Sequence, residues 1–282
     1  MAKLLEGKLV VAALKEKQQA AVEELKAKGV TPTLGIIRVG ERADDIAYEK
    51  GATTRCKGVG VDVKVMTLPA DASQDDLMKL IGEVNQDKSI HGVLLFRPLP
   101  KNMDDEVVRN ALAPEKDIDG IGDGSLAGVF TGTDKGYAPC TAQACMEILD
   151  FFGYDLTGKK VTVIGRSLVV GKPVAMMLMG KNATVTVCHT RTNDMASVCR
   201  PAEILIVAAG RAGVVGKEFF APGQIVIDVG INFDDNGKMC GDADFAAAEP
   251  IVEAITPVPG GVGTVTTSVL VGNVITAAQR SV

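Results

Sequence analysis

The chain has 282 residues, a net charge of −5 and 46% apolar residues. That length suits two modest domains, and the apolar share supports true cores and excludes wholesale disorder. The acidic balance excludes a basic nucleic-acid-binding surface, and no apolar run reaches the length of a membrane span.

The six cysteines, at 56, 140, 145, 188, 199 and 240, form no C-x-x-C pair, and the only histidines are His91 and His189. Neither a zinc cage nor a His-rich metal site is expected. A chain of this size does not need disulfides, so the expected compartment is the reducing cytoplasm. The opening MAKLLEGKLVVAALKEKQQ is broken by Lys8, Lys15 and Lys17 and reads as an amphipathic helix, without a signal-peptide core.

Next come β-branched runs that alternate with helical patterns. TPTLGIIRVG (31–40), VDVKVMTLP (61–69) and IHGVLLFRPLP (90–100) read as strands. DDIAYEKGATTRCKGVG and SQDDLMKLIGEVNQDKS between them have helical spacing, and the second opens on Ser73 as N-cap with Asp75 and Asp76 in its first turn. Strand–helix–strand alternation implies parallel strands joined by right-handed crossovers. From Pro114 to Pro139 the chain reads as a long Gly- and Asp-rich irregular stretch, a candidate binding loop. A helix, TAQACMEILDFFG, then leads to a second α/β series with strands KKVTVIG, ATVTVCH, EILIVAAG and QIVIDVGIN. The last segment is a Gly/Pro loop opening a C-terminal helix.

KKVTVIG runs directly into GRSLVVGKP. A glycine turn after a buried strand, opening a helix, aims backbone N–H groups and the positive helix end at a phosphate. Gly165 makes the turn, Gly171 permits close packing, and Arg166 and Ser167 add a charge and a hydroxyl. The stretch departs from G-x-G-x-x-G at Ser167. It is not a P-loop either, because Pro173 stands where Ser or Thr would hold magnesium. An NAD site usually carries a carboxylate at the end of the next strand. Here that strand ends in His189-Thr190-Arg191-Thr192. A cation and hydroxyls suit a 2′-phosphate, so NADP is the expected cofactor.

These motifs converge. With the Tyr48 helix, GVLLFRPLP (92–100), PEKDIDG (114–120), PCT (139–141), GRSLVVGKP (165–173), VIDVGIN (226–232) and ITPVPGGVGTVT (255–266), the chain resembles the methylenetetrahydrofolate dehydrogenase/cyclohydrolase family. The resemblance implies a two-domain α/β fold with a cleft between the domains. Residues 1–145 would form a folate-binding catalytic domain, with the C-terminal helix 266–282 packing back on it, and 146–265 a Rossmann-type NADP domain. It also implies a homodimer and hydride transfer from 5,10-methylenetetrahydrofolate to NADP. Tyr48 matches the family's active-site tyrosine and Asp119 the aspartate that binds the pterin. Gly165, Arg166, Ser167, Thr190 and Ile231 fall on cofactor-contacting positions, joined by Arg191 from the strand-end reading. Pro259, Gly260 and Gly261 fall on the loop between folate and nicotinamide.

Two departures stand together. The family places Lys four residues after Tyr, on the same helix face, where this chain has Ala52; it usually places Gln where this chain has Phe96. Lys50 lies about 200° around the helix from Tyr48, and Arg55 is a poor base. Hydride transfer needs positioning, whereas opening the methenyl bridge must activate water. Weak or absent cyclohydrolase activity is therefore expected, with the full bifunctional enzyme or a non-catalytic binder as alternatives. Smaller departures at Ala142, Ala144, Thr264 and Val265 bear on the folate pocket.

Overall fold

The computed structural model describes all residues, Met1–Val282. In chain order its first elements are β1 (Lys3–Leu4), α1 (Gly7–Ala27), β2 (Thr33–Val39), α2 (Ala43–Lys57), β3 (Asp62–Leu68), α3 (Gln74–Gln86) and β4 (Gly92–Leu95). Then follow α4 (Asp105–Ala111), α5 (Asp123–Thr131), α6 (Cys140–Phe151), β5 (Lys160–Ile164), α7 (Gly171–Gly180), β6 (Thr184–Cys188), α8 (Met195–Cys199) and β7 (Ile204–Val207). The rest are β8 (Ile225–Asp228), β9 (Asn232–Phe233), β10 (Met239–Cys240), α9 (Phe245–Ala248), β11 (Ala254–Ile255) and α10 (Val262–Gln279). All the strands expected from the sequence form; β2, β3, β5 and β6 end within two residues of the expected limits, whereas β4, β7 and β8 stop three to five residues early, where the chain turns into loops.

Two compact units result, and their limits fall inside helices. One comprises Ala13–Cys140 with Thr267–Val282, here the first unit; the second comprises Met1–Ala12 with Thr141–Thr266. The first twelve residues thus join the second unit, whereas the sequence suggests the first. The reason is β1, a two-residue strand too short to show a period, which pairs parallel with β11.

In the first unit a parallel sheet runs β3-β2-β4. Leu77, Ile81 and Val84 recur at helical spacing on α3 and bury their side chains in a core with Ile37, Val93 and Leu95. Ser73 and Asp76 close a capping box at the start of α3, Asp76 N–H donating to Ser73 Oγ at 3.1 Å. At its other end Lys116 Nζ donates to the carbonyls of Val84 and Asp87, both at 2.6 Å. The helix α10 is tied to this unit by Asn273 Nδ2 donating to Ile118 O at 2.8 Å and Arg280 Nη1 donating to Gly136 O at 3.1 Å.

The segment 114–139 is not irregular throughout, as its composition suggests, because it contains α5. That helix carries Gly124 and Gly128, which hide it from a propensity reading. A Cβ on Gly128 would lie 1.9 Å from the carbonyl oxygen of Lys135, so close backbone packing selects the residue.

In the second unit six parallel strands run in the order β1-β11-β8-β7-β5-β6. Leu205, Val207, Val226 and Ile255 bury one face of this sheet.

Replacing Lys116 by Met keeps the aliphatic stem and removes both carbonyl contacts at the end of α3. Unfolding in urea should show a loss of about 1–3 kcal/mol, the usual cost of stranding a partly buried polar group. An unchanged midpoint would show that solvent takes over the two carbonyls.

Candidate functional site

Each unit carries its own cluster of candidate residues. In the second unit β5 lies between β6 and β7, so the chain leaves it outward in one direction and returns on the other side. Ligands of open α/β sheets bind beyond the carboxyl ends of strands at such a switch. Gly165 stands there with φ of +126°. A Cβ on it would lie 2.2 Å from Ala208 O, in the loop after β7, so only glycine fits. A Cβ on Gly171 would lie 2.2 Å from Gly165 O, which makes this residue the reason the helix can start over its own strand end. Ser167 Oγ accepts the Val170 N–H at 3.1 Å and its carbonyl accepts the Lys172 N–H at 3.0 Å. The side chains of Arg166 and Ser167 are exposed. This cradle excludes a Cβ and points a helix start outward, which fits a nucleotide pyrophosphate.

After β6 a tight turn forms. The His189 N–H donates to Thr192 Oγ1 at 2.9 Å, and the Arg191 N–H donates to His189 Nδ1 at 3.1 Å. Thr190 and Arg191 are thereby left exposed at the strand end. Ile231 follows β8 with 62% of its surface exposed. After β11, Pro259 and Gly260 are exposed and Gly261 is buried, with Gly260 at φ +106° and its carbonyl accepting the Gly7 N–H at 2.8 Å. A Cβ on Gly261 would lie 2.6 Å from Pro257 O, so this glycine is required by the bend. All these candidates follow the carboxyl ends of parallel strands of one sheet.

In the first unit Tyr48 and Asp119 are brought together. Tyr48 lies on α2 and meets Phe96 edge to face, with ring centroids 5.8 Å apart. Ala52, one turn on, is buried, and Lys50 is exposed. Tyr48 keeps 39% of its surface exposed, yet desolvation of its phenol raises it above its usual range, aided by the nearby Asp119 carboxylate and Cys140, against a smaller opposing effect of the Thr267 hydroxyl. Asp119 is half-buried in a turn closed by Gly120, whose Cβ would lie 2.5 Å from Tyr137 O. Burial pushes its carboxyl up to about 6, opposed by Cys140; the charge of Asp117 adds to the rise and Arg97 offsets it. Cys140 donates to Ile118 O at 3.3 Å, and burial beside Asp119 keeps the thiol protonated.

Several residues around these clusters have no local signal in the sequence. Arg97 is paired with Asp105 through Nε at 2.6 Å and through Nη2, which fixes a permanent cation near Asp119. Asp117, in the same DIDG run as Asp119, is a buried acceptor. So are Asp228, inside VIDVGIN, and Asp242. Motif matching reaches Asp117 and Asp228 as letters; their burial becomes visible only once the loops have folded around them.

A glycine-turned strand–helix connection at the switch point of a parallel sheet defines a dinucleotide-binding α/β protein. Two family profiles match the chain: residues 5–119 fit the catalytic domain and residues 139–282 the NAD(P)-binding domain of tetrahydrofolate dehydrogenase/cyclohydrolase. The chain belongs to this family. It is 50% identical over 281 residues to the bifunctional protein FolD of Carboxydothermus hydrogenoformans, covering 99% of this chain and 98% of the relative. The crystal structure of the bifunctional enzyme FolD from Campylobacter jejuni superposes with a TM-score of 0.96 at 35% identity, covering all of both chains. The Trypanosoma brucei dehydrogenase-cyclohydrolase, complexed with NADP cofactor and inhibitor, superposes with a TM-score of 0.91 at 34% identity, covering 99% of this chain and 98% of that one. The two-domain α/β fold with an NAD(P)-binding domain, expected from the sequence, is borne out.

Replacing Gly165 by Ala forces a Cβ against Ala208 O. NADP affinity, measured by calorimetry, should fall at least tenfold, about 1.4 kcal/mol. Wild-type affinity in that variant would remove the turn from the nucleotide site.

Proposed function

We propose that the chain oxidises 5,10-methylenetetrahydrofolate to 5,10-methenyltetrahydrofolate with NADP. The observation that carries this reading is the Cβ-excluding turn at Gly165, in a chain that matches both domains of the family. Gly165, Arg166 and Ser167 hold the pyrophosphate. Thr190 and Arg191 take the 2′-phosphate, which favours NADP over NAD. Ile231 bounds the nicotinamide. The bound nucleotide supplies the acceptor for a hydride.

Asp119 accepts hydrogen bonds from the pterin N–H groups. Tyr48, kept protonated, contributes a neutral hydroxyl beside the one-carbon unit, and Phe96 fixes its ring. Pro259, Gly260 and Gly261 shape the loop that follows β11 at the same sheet edge as the nucleotide turn. The hydride leaves the methylene carbon as the adjacent folate nitrogen lone pair forms the methenyl cation, so no protein base is consumed. The step requires donor and acceptor carbons about 3–3.5 Å apart. The reading includes the homodimer that the resemblance implies.

For the methenyl product, the bifunctional relatives favour an enzyme that goes on to 10-formyltetrahydrofolate. They lend no support to the weak hydrolysis expected from position 52. The second reading, a dehydrogenase alone, is favoured by one observation: Ala52 and Phe96 place a methyl and a ring where a Lys and a Gln would activate water.

One experiment tests both. Protein, methylenetetrahydrofolate and either NADP or NAD are mixed, and reduced cofactor and methenyl product are followed separately. Faster reduction of NADP supports the reading; no reduction of either cofactor refutes it. Prompt enzyme-dependent loss of the methenyl absorbance selects the bifunctional enzyme, and accumulation at the rate of NADP reduction selects the dehydrogenase alone.

The Asp119 carboxyl gives a second prediction. It titrates at about 6 in the folded chain against 3.8 for an ordinary aspartate. Its ionised form binds the pterin, so kcat/KM for the folate should fall as pH drops through about 6, and Asp119→Asn should remove that limb from the residual activity. For folding the sign is reversed. A raised carboxyl favours the protonated native state, so this group's contribution to stability is present below pH 4 and fades as pH rises through 6. A folate kcat/KM that stays flat from pH 7 to 5 would take Asp119 out of the pterin site.

A further inference from the structure

In the second unit two buried carboxylates meet five donors. Asp228, the last residue of β8, is 3% exposed, and Asp242 is fully buried. Asp228 Oδ1 accepts the N–H groups of Gly230 at 2.9 Å and Asp242 at 3.1 Å, and its Oδ2 accepts the Ala243 N–H at 2.9 Å. Asp242 Oδ2 accepts the Gly210 N–H at 2.8 Å, and its Oδ1 accepts Asn232 Nδ2 at 2.8 Å. Two glycines make room. A Cβ on Gly241 would lie 1.9 Å from Asp228 Oδ2, and one on Gly230 would lie 2.5 Å from Asp242 Oδ1.

The donors come from three separate segments. Gly210 belongs to the loop after β7, Gly230 to the loop after β8 and Asn232 to the start of β9 that ends this loop, and Asp242 and Ala243 to the stretch after β10. The first two loops leave the carboxyl ends of the strands beside the switch point. Ile231, 62% exposed, sits between Gly230 and Asn232, both anchored to the pair. No carboxylate oxygen of the pair faces outward as a ligand; each is occupied from within.

We propose that Asp228 and Asp242 are positioning residues for the nucleotide, fixing the Gly210 and Ile231 loops before it binds. Asn232 is the link that transmits Asp242 to Ile231. This inference rests on the NADP reading of the site. Pre-organised loops spend no ordering entropy on binding, so loosening them should weaken nucleotide affinity and leave the folate side untouched.

Asn232→Ala removes one donor and leaves both carboxylates in place, so it is the mildest probe; Asp242→Asn is the stronger one. In steady-state assays of the full chain, Asn232→Ala should raise KM for NADP five- to twentyfold. KM for methylenetetrahydrofolate and kcat at saturating NADP should stay within twofold. A purely structural role would lower the melting temperature and the amount of active enzyme without splitting the two KM values. The inference is overturned if a folded Asn232→Ala protein keeps the wild-type KM for NADP, or if both KM values rise together. Should Asp242→Asn fail to fold, the Asn232→Ala result still decides. Failure of the NADP reading itself would appear in the wild type, as absence of NADP reduction, before any variant is compared.

Discussion

A parallel sheet delivers all its strands to one edge, and the backbone that leaves this edge has N–H groups with no ladder to enter. Water can satisfy them only where the loops are open. In this chain, buried carboxylates do it where the loops are closed. Asp117 follows β4 across a bridge to Val93 and accepts the N–H groups of Ile121 at 3.1 Å and Gly122 at 2.8 Å, with the Ser125 hydroxyl at 2.6 Å. Asp228 and Asp242 perform the same task after β7, β8 and β10. A buried carboxylate is costly unless several donors face it; Asp117 and Asp228 each meet three and Asp242 meets two. The glycines nearby follow from this arrangement. A Cβ on Gly122 would lie 3.1 Å from Asp117 Oδ2, and Gly241 has still less room against Asp228.

This constraint divides the two aspartates of the DIDG run. Asp117 turns inward and builds the loop. Asp119, two residues on, is carried to the half-buried face beside Tyr48 and Cys140. The builder then acts on its neighbour, since the Asp117 charge helps raise the Asp119 carboxyl while Arg97 pulls it back. The phenol and the thiol alongside are both held protonated by burial. The outcome is a cluster of neutral donors around one carboxylate that titrates close to neutrality.

The legible part of the fold was that written in periodicity and turn chemistry. β2, β3, β4 and the strands β5 to β8 carry β-branched runs between glycines, and α3 announces itself through Ser73, Asp76 and the Leu77–Ile81–Val84 stripe. The nucleotide turn was legible because two glycines at 165 and 171 mark a tight strand–helix joint, and Arg166 and Ser167 between them add groups that suit a phosphate. Three things were not. The helix α5 contains Gly124 and Gly128, whose value lies in close contact with the Pro114 ring and the Lys135 backbone, which no propensity reflects. The strands β1 and β11 are two residues long, and β1 forms only against β11, which itself lies between β1 and β8. The carboxylate network joins residues 210, 228, 232 and 242, and a sequence holds no record of such a meeting until the sheet has formed.

The same physics bears on how one cluster could perform two reactions. The groups that act on the Tyr48 phenol are Asp119, Cys140 and Thr267, and none is an amine. Arg97 carries a charge nearby but does not release its proton. Ala52 is buried on the inward side of α2 above Cys56, so a lysine at this position would need its stem covered and its ammonium delivered back to the phenol. Of the groups that shift the phenol, Asp119 is the one whose carboxyl burial pushes up to about 6, which makes it the proposed proton acceptor for a water attacking the methenyl carbon. That carboxylate is also the proposed acceptor for the pterin. An oxygen engaged with ring N–H groups is a weaker base than a free one, so the demands of binding and of hydrolysis oppose each other at a single residue. On the proposed reading both demands fall on Asp119, whereas the hydride step consumes no protein base and places no such demand on it.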